Sequence, residues 1–85
     1  MLSDRLLQAL NHQMNYEFFT SHTYLSMASY CAAEGFQGFA NFFEVQAAEE
    51  RQHGLKIYKF INALGKRAVI TGIQNPPKDF SSVRE

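Results

Sequence analysis

Ala33-Glu34-Gly35-Phe36-Gln37-Gly38 decides the fold of this chain. Glu34-Gly35 has the form of a helix C-terminus, where glycine takes the left-handed conformation that other residues resist. Phe36-Gln37-Gly38 continues the turn. On either side lies a long stretch with apolar residues at helical spacing. A turn this short joins its helices antiparallel. The spacing therefore predicts an all-α hairpin, with one helix over about 4–33 and a second over about 38–64.

Ser3 is the expected N-cap of the first helix, with Asp4 in its first turn. At ~100° per residue, one face carries Leu6, Leu10, Met14, Glu17, Ser21, Tyr24, Ala28 and Cys31. The opposite face carries Gln8, Asn15, His22 and Ser26. The inner face of the second helix carries Phe39, Phe43, Gln46, Glu50, His53, Ile57, Ile61 and Leu64. Gly65 is its expected stop, and Lys66-Arg67 suit the negative end of its dipole. Each helix should run roughly 40 Å at ~1.5 Å per residue, a length typical of a large four-helix bundle. Leu7, Phe18, Leu25, Phe42 and Phe60 widen the apolar stripes beyond what one partner helix can bury. Further helices must complete the bundle.

The segment over about 66–81 breaks the helical pattern. Val69-Ile70 is β-branched, Gly72 is a breaker, and Pro76-Pro77 prevents helix. An extended crossover climbing the bundle is expected. Ser82-Val83-Arg84-Glu85 then has the form of a capping box, the start of a third helix.

Composition narrows the function. Eight basic and eight acidic residues in 85 give no net charge. That argues against a nucleic-acid binder or a polybasic membrane anchor. No apolar run approaches the ~20 residues of a membrane span. No charged-then-apolar leader opens the chain, so a cytoplasmic protein is expected. The single cysteine, Cys31, excludes an internal disulfide and any Cys-rich metal site.

Glu50-Arg51-Gln52-His53 carries the chemistry. Spacing of three puts the carboxylate and the imidazole on one helix face, inside an apolar stripe. Glu17 lies mid-stripe on the first helix. Counted from the turn, Glu17 and Glu50 differ in height by about one helical turn, and His53 is nearly level with Glu17. One metal could be held by all three. Carboxylates are hard anionic ligands for Fe²⁺ and Fe³⁺, and one imidazole suits Fe²⁺. Acids buried without a partner are costly, and no lysine or arginine lies on the inner stripes. Arg51 points about 100° away from Glu50. A cation is the simplest remedy.

Around this set the reading stays open at several positions. Tyr24, two turns after Glu17, is either a core tyrosine bonded to an acid or a redox partner of the metal. Glu49, on the flank, either binds a further ion or is solvated. Gln46 is expected to hydrogen-bond near the site. His12 and His22 are expected to face water. Phe19 and Tyr30, on the outer face of the first helix, suggest contacts between subunits.

At this point the chain resembles the first half of a bacterial non-haem ferritin subunit. The carriers are Leu10-Asn11-His12-Gln13-Met14-Asn15-Tyr16-Glu17, Tyr24-Leu25-Ser26-Met27-Ala28 and Ala33-Glu34-Gly35-Phe36-Gln37-Gly38-Phe39-Ala40. Gln46-Ala47-Ala48-Glu49-Glu50-Arg51-Gln52-His53 and Asn75-Pro76-Pro77 complete them. The resemblance implies one ferritin-like segment over residues 1–85, half of a four-helix bundle. It implies iron storage and detoxification through a ferroxidase di-iron centre, in a homo-oligomeric shell of 24 subunits holding ferric mineral. Glu17, Glu50 and His53 would hold the first iron, and Glu50 would bridge to the second. Tyr24 would stand beside the centre. Glu49 would match a ligand of the additional iron site. Dioxygen or peroxide would be the oxidant. Related bacterioferritins carry a haem-ligating methionine directly after the bridging glutamate; Arg51 stands there here, so no haem is expected.

Family members continue into a third and a fourth helix, which supply the remaining acids of the second iron site. The sequence therefore implies that the other half of the site comes from another chain or from a C-terminal half. Paired hairpins of two copies would provide four glutamates and two histidines. The alternative is an inert hairpin or binding module that self-associates without ferroxidase activity.

Overall fold

The computed structural model describes residues 3–80. Two helices, α1 (Asp4–Ala33) and α2 (Gln37–Ala63), lie antiparallel, and an extended segment follows. No strand occurs among the described residues. The molecule is a rod of 50 × 19 × 18 Å, as helices of 30 and 27 residues require. The expected start of a third helix at 82–85 lies outside the described residues.

Each helix boundary has a local cause. The Ser3 hydroxyl accepts a hydrogen bond from the Leu6 N–H at 3.1 Å, satisfying a donor that the first turn leaves free. At the other end, Gly35 adopts φ +84°. The Phe36 N–H then donates to the Cys31 carbonyl at 2.8 Å, and the Gly35 N–H to Ala32 at 3.2 Å. α2 ends in the same double closure, with Gly65 at φ +74° and the Lys66 and Gly65 N–H groups donating to Ile61 and Asn62. In both places a side chain at the glycine would force a left-handed backbone on a residue that resists it.

The seam between the helices is narrower than the apolar stripes suggest. Its buried members on α2 are Ala40, Ala47, Gly54 and Ile61, a strict seven-residue repeat. On α1 they are Met14, Ala28 and Cys31. Small residues every second turn let the two backbones approach closely. The Ser21 hydroxyl reaches across and donates to the Ala47 carbonyl at 2.7 Å. The Phe18 ring lies directly over Gly54. Met14 and Ile61, with no exposed surface, contribute ~1.5–3 kcal/mol each by burial.

Of the expected inner stripe of α2, Ile61 belongs to the buried seam, and the rest of the seam lies beside the stripe. On the helical wheel the seam residues lie about 20–80° to one side of Glu50. Phe39, Phe42, Phe60 and Leu64 lie up to about 80° to the other side, and each is roughly half exposed. A single hairpin leaves that flank uncovered.

The outer face of α1 is covered by the chain's own crossover. The Asn11 side-chain oxygen accepts from the Val69 N–H at 2.7 Å. The Asn15 amide donates to the Val69 carbonyl at 2.9 Å and accepts from the Thr71 N–H at 3.0 Å. Two asparagine side chains thereby stand in for a neighbouring strand. Higher up, the Ser26 hydroxyl donates to the Pro77 carbonyl at 2.6 Å, and the Tyr30 and Phe80 rings meet edge to face at 5.3 Å. Tyr30, expected at a contact between subunits, meets the crossover.

Candidate metal centre

Glu17 from the middle of α1 and Glu50 and His53 from the middle of α2 converge on one point. One ligand atom from each lies within 4.8 Å of the other two. The turn at Gly35 sets this register, since it fixes which turn of α1 faces which turn of α2. His53 Nδ1 lies 3.7 Å from Glu50 Oε1, too long for a hydrogen bond but suited to two ligands of one ion.

The acids are not buried as the stripe pattern suggests. Glu17 and Glu50 are half-buried, and 53% of the His53 side chain is exposed. The reason is their place on the wheel, at the boundary between the seam and the uncovered flank. Water can therefore reach the set from one side.

The two carboxyl groups contend for one proton. Glu50 is pushed above the usual carboxylate range, first by its hydrogen bond to Glu17, then by burial and by the Glu17 charge. Glu17 is held below that range, first by the hydrogen bond from Glu50 and also by Gln13 and by His53. The Gln13 amide donates to Glu17 Oε2 at 2.9 Å. That extra donor favours the ionised form at Glu17 and leaves the proton on Glu50. A divalent cation would replace the shared proton and relieve the repulsion, so the donor set fits a metal.

The remaining expected residues lie close by. Tyr24 is half-buried and stacks on Phe43, ring centroids 6.0 Å apart. Glu49 is exposed, in a shallow hollow that His53, Gln52 and Lys56 also line. Gln46 is half-buried, and His12 and His22 are exposed. Gln13 was not anticipated. Its signal was available in the sequence, because residues four apart share a helix face.

An antiparallel pair of long helices, with two acids and a histidine meeting at mid-height, is the architecture of a ferritin-like protein. The ferritin-like domain family matches residues 7–85, and the chain belongs to the ferritin family. Among named relatives, it is 54% identical over all 85 residues to the bacterial non-heme ferritin of Staphylococcus aureus and 53% identical to that of Staphylococcus epidermidis. It covers 51% of each of these two proteins. The open-pore ferritin of the archaeon Archaeoglobus fulgidus superposes with a TM-score of 0.94 at 36% identity, over 98% of this chain and 51% of that one. The Chlorobium tepidum ferritin superposes at 0.92 and 35% identity, over 96% and 50%. The chain spans about half the length of the relatives it matches.

Proposed function

We propose that this chain serves iron storage and detoxification, supplying the ferroxidase ligands of a ferritin. Fe²⁺ would bind as substrate at Glu17, Glu50 and His53. Glu50, at the boundary of the open flank, would bridge to a second iron. The anionic oxygen donors favour Fe³⁺ over Fe²⁺, which lowers the energy of electron transfer to dioxygen or peroxide. Ferric iron would leave for mineral inside a homo-oligomeric shell in the cytoplasm. Tyr24 would stand beside the centre as a redox partner, and Glu49 would take a further iron. No helix among the described residues is long and apolar enough to cross a membrane.

The observation that carries this reading is the convergence of three ligand atoms within 4.8 Å on a chain of the ferritin family. The test is anaerobic loading with Fe²⁺ followed by oxygen, with ferric absorbance read in the near ultraviolet. Oxidation faster than in buffer, and lost in Glu50→Ala, supports the proposal. An inert hairpin is the competing reading, favoured by the half-exposed Phe39, Phe42 and Phe60. It requires no oxidation above buffer and no effect of Glu50→Ala.

A further inference from the structure

Glycine inside a helix is unfavourable relative to alanine, so Gly54 within α2 needs a reason. The reason lies on α1. A Cβ at Gly54 would stand 2.6 Å from Cε1 of Phe18, 2.9 Å from Cδ1 and 3.0 Å from Cζ. Carbon atoms in ordinary contact stand about 3.5–4.0 Å apart. The other glycines among the described residues, Gly35, Gly38, Gly65 and Gly72, have nothing within 4 Å of that position. Phe18 follows Glu17 in the chain, and Gly54 follows His53. This tight contact therefore lies beside the candidate ligands of both helices. A second contact joins the helices nearby, where the Ser21 hydroxyl donates to the Ala47 carbonyl at 2.7 Å. Along α2 the two contacts lie on either side of Glu50 and His53.

We propose that Phe18 and Gly54 are positioning residues that set the gap between Glu17 and the Glu50–His53 pair, fitting the site to a small divalent cation. The inference rests on reading the three residues as metal ligands. Glu50 and His53 share one helix, so their separation is set by the helix itself. The distance to Glu17 is set by how near the two helices come. One ligand atom from each residue already lies within 4.8 Å of the other two. A cation with bonds of about 2.1 Å gathers its donors to roughly 3–4 Å from one another, so a short closure completes the grip. One methyl group at Gly54 opens the gap by about 1 Å, the shortfall between its contact with the ring and ordinary carbon contact. The Gln13 amide, bound to Glu17 Oε2 at 2.9 Å, restrains the carboxylate from following the ion. The wider gap suits a larger cation.

Competition between Co²⁺ and the larger Mn²⁺ in the intact protein tests this, read in the visible absorption of bound Co²⁺. The bands of this site are those that His53→Ala removes. Gly54→Ala should lower the preference for Co²⁺ over Mn²⁺ about 10-fold, the scale of effect that groups behind the ligands exert. Phe18→Leu in the same chain should restore it. Glu17→Ala should cost less affinity in Gly54→Ala than in the wild type, because the widened gap has already withdrawn Glu17 from the ion. If Gly54→Ala alone does not fold, Gly54→Val against Gly54→Ala, both with Phe18→Leu, gives the same comparison, and the branched side chain should lower the preference. An unchanged preference in folded variants that melt lower overturns the proposal and leaves the ligand reading intact. A contact that only stabilises the fold moves the melt and not the choice of ion. Co²⁺ bands indifferent to both Glu17→Ala and His53→Ala overturn the positioning and the ligand reading together.

Discussion

The Phe18 ring rests on Gly54 so closely that a Cβ there would stand 2.6 Å from its Cε1. The two residues come from different helices, and their contact sets how near the helices approach just beside the candidate centre. Gly54→Ala would normally stabilise a helix interior by about 1 kcal/mol. Here we expect a net loss of about 1–2 kcal/mol, because the ring must leave its site. Phe18→Leu in the same chain should recover most of it. Urea melts followed by helicity measure both; an increase for Gly54→Ala alone would show the contact to be looser than described.

The proton shared by Glu17 and Glu50 gives stability a pH dependence. Glu50, raised on folding, contributes stability that is in place at acid pH and is lost as pH rises through its folded value. Glu17, lowered on folding, contributes the opposite: in place above the ordinary glutamate range, lost as pH falls through its folded value. Glu50→Gln keeps a donor for Glu17 and never ionises. Its melting temperature should equal the wild type's in mild acid and exceed it at neutral pH. Both acids are partly open to water, so the gain should stay below about 1 kcal/mol. Thermal melts in chelator at the two pH values decide it. A neutral-pH loss would mean that the carboxylate is held by a cationic partner.

Gln13 orients one oxygen of Glu17 by donating to it. Partners that orient a ligand typically carry 10–100-fold in metal affinity. Because this bond is exposed, Gln13→Ala should weaken Co²⁺ binding by about 10-fold, the low end of that range. Glu17→Ala should cost far more. Calorimetric titration compares them, and equal affinities for wild type and Gln13→Ala would remove Gln13 from the site.

Asn15 makes two of the bonds that hold the crossover to α1. Asn15→Ala should release residues 69–71 locally, at about 1–2 kcal/mol for the two bonds. Amide exchange at Thr71 should quicken about 10-fold or more, while α2 exchange stays unchanged. Uniform acceleration along the chain would instead make the crossover part of the global folding unit.

Much of this was legible in the sequence. Gly35 and Gly65 announced both helix ends, because a left-handed backbone position leaves glycine as its signature. Glu17, Glu50 and His53 could be brought together by counting turns from Gly35. The seam was not legible in the same way. Apolar periodicity is dominated by large side chains, whereas Ala40, Ala47 and Gly54 contribute by being small. The inner stripe was therefore centred on Glu50, and its acids were expected to be buried. Asn11 and Asn15 were equally silent. A polar residue on an outer face looks solvated until the segment that covers it is known, and that segment lies more than 50 residues away.

That separation also imposes an order in time. The bonds from Asn11, Asn15 and Ser26 to the crossover join residues 51 to 58 apart. In an open chain, loops of that size close slowly and at an entropic cost. Once α1 and α2 have zipped from the Gly35 turn, Gly65 already stands beside the start of α1, and only a few residues remain to be placed before each bond. The hairpin must come first. The crossover then follows along α1 rung by rung, from Arg67 at Asn11 to Phe80 at Tyr30.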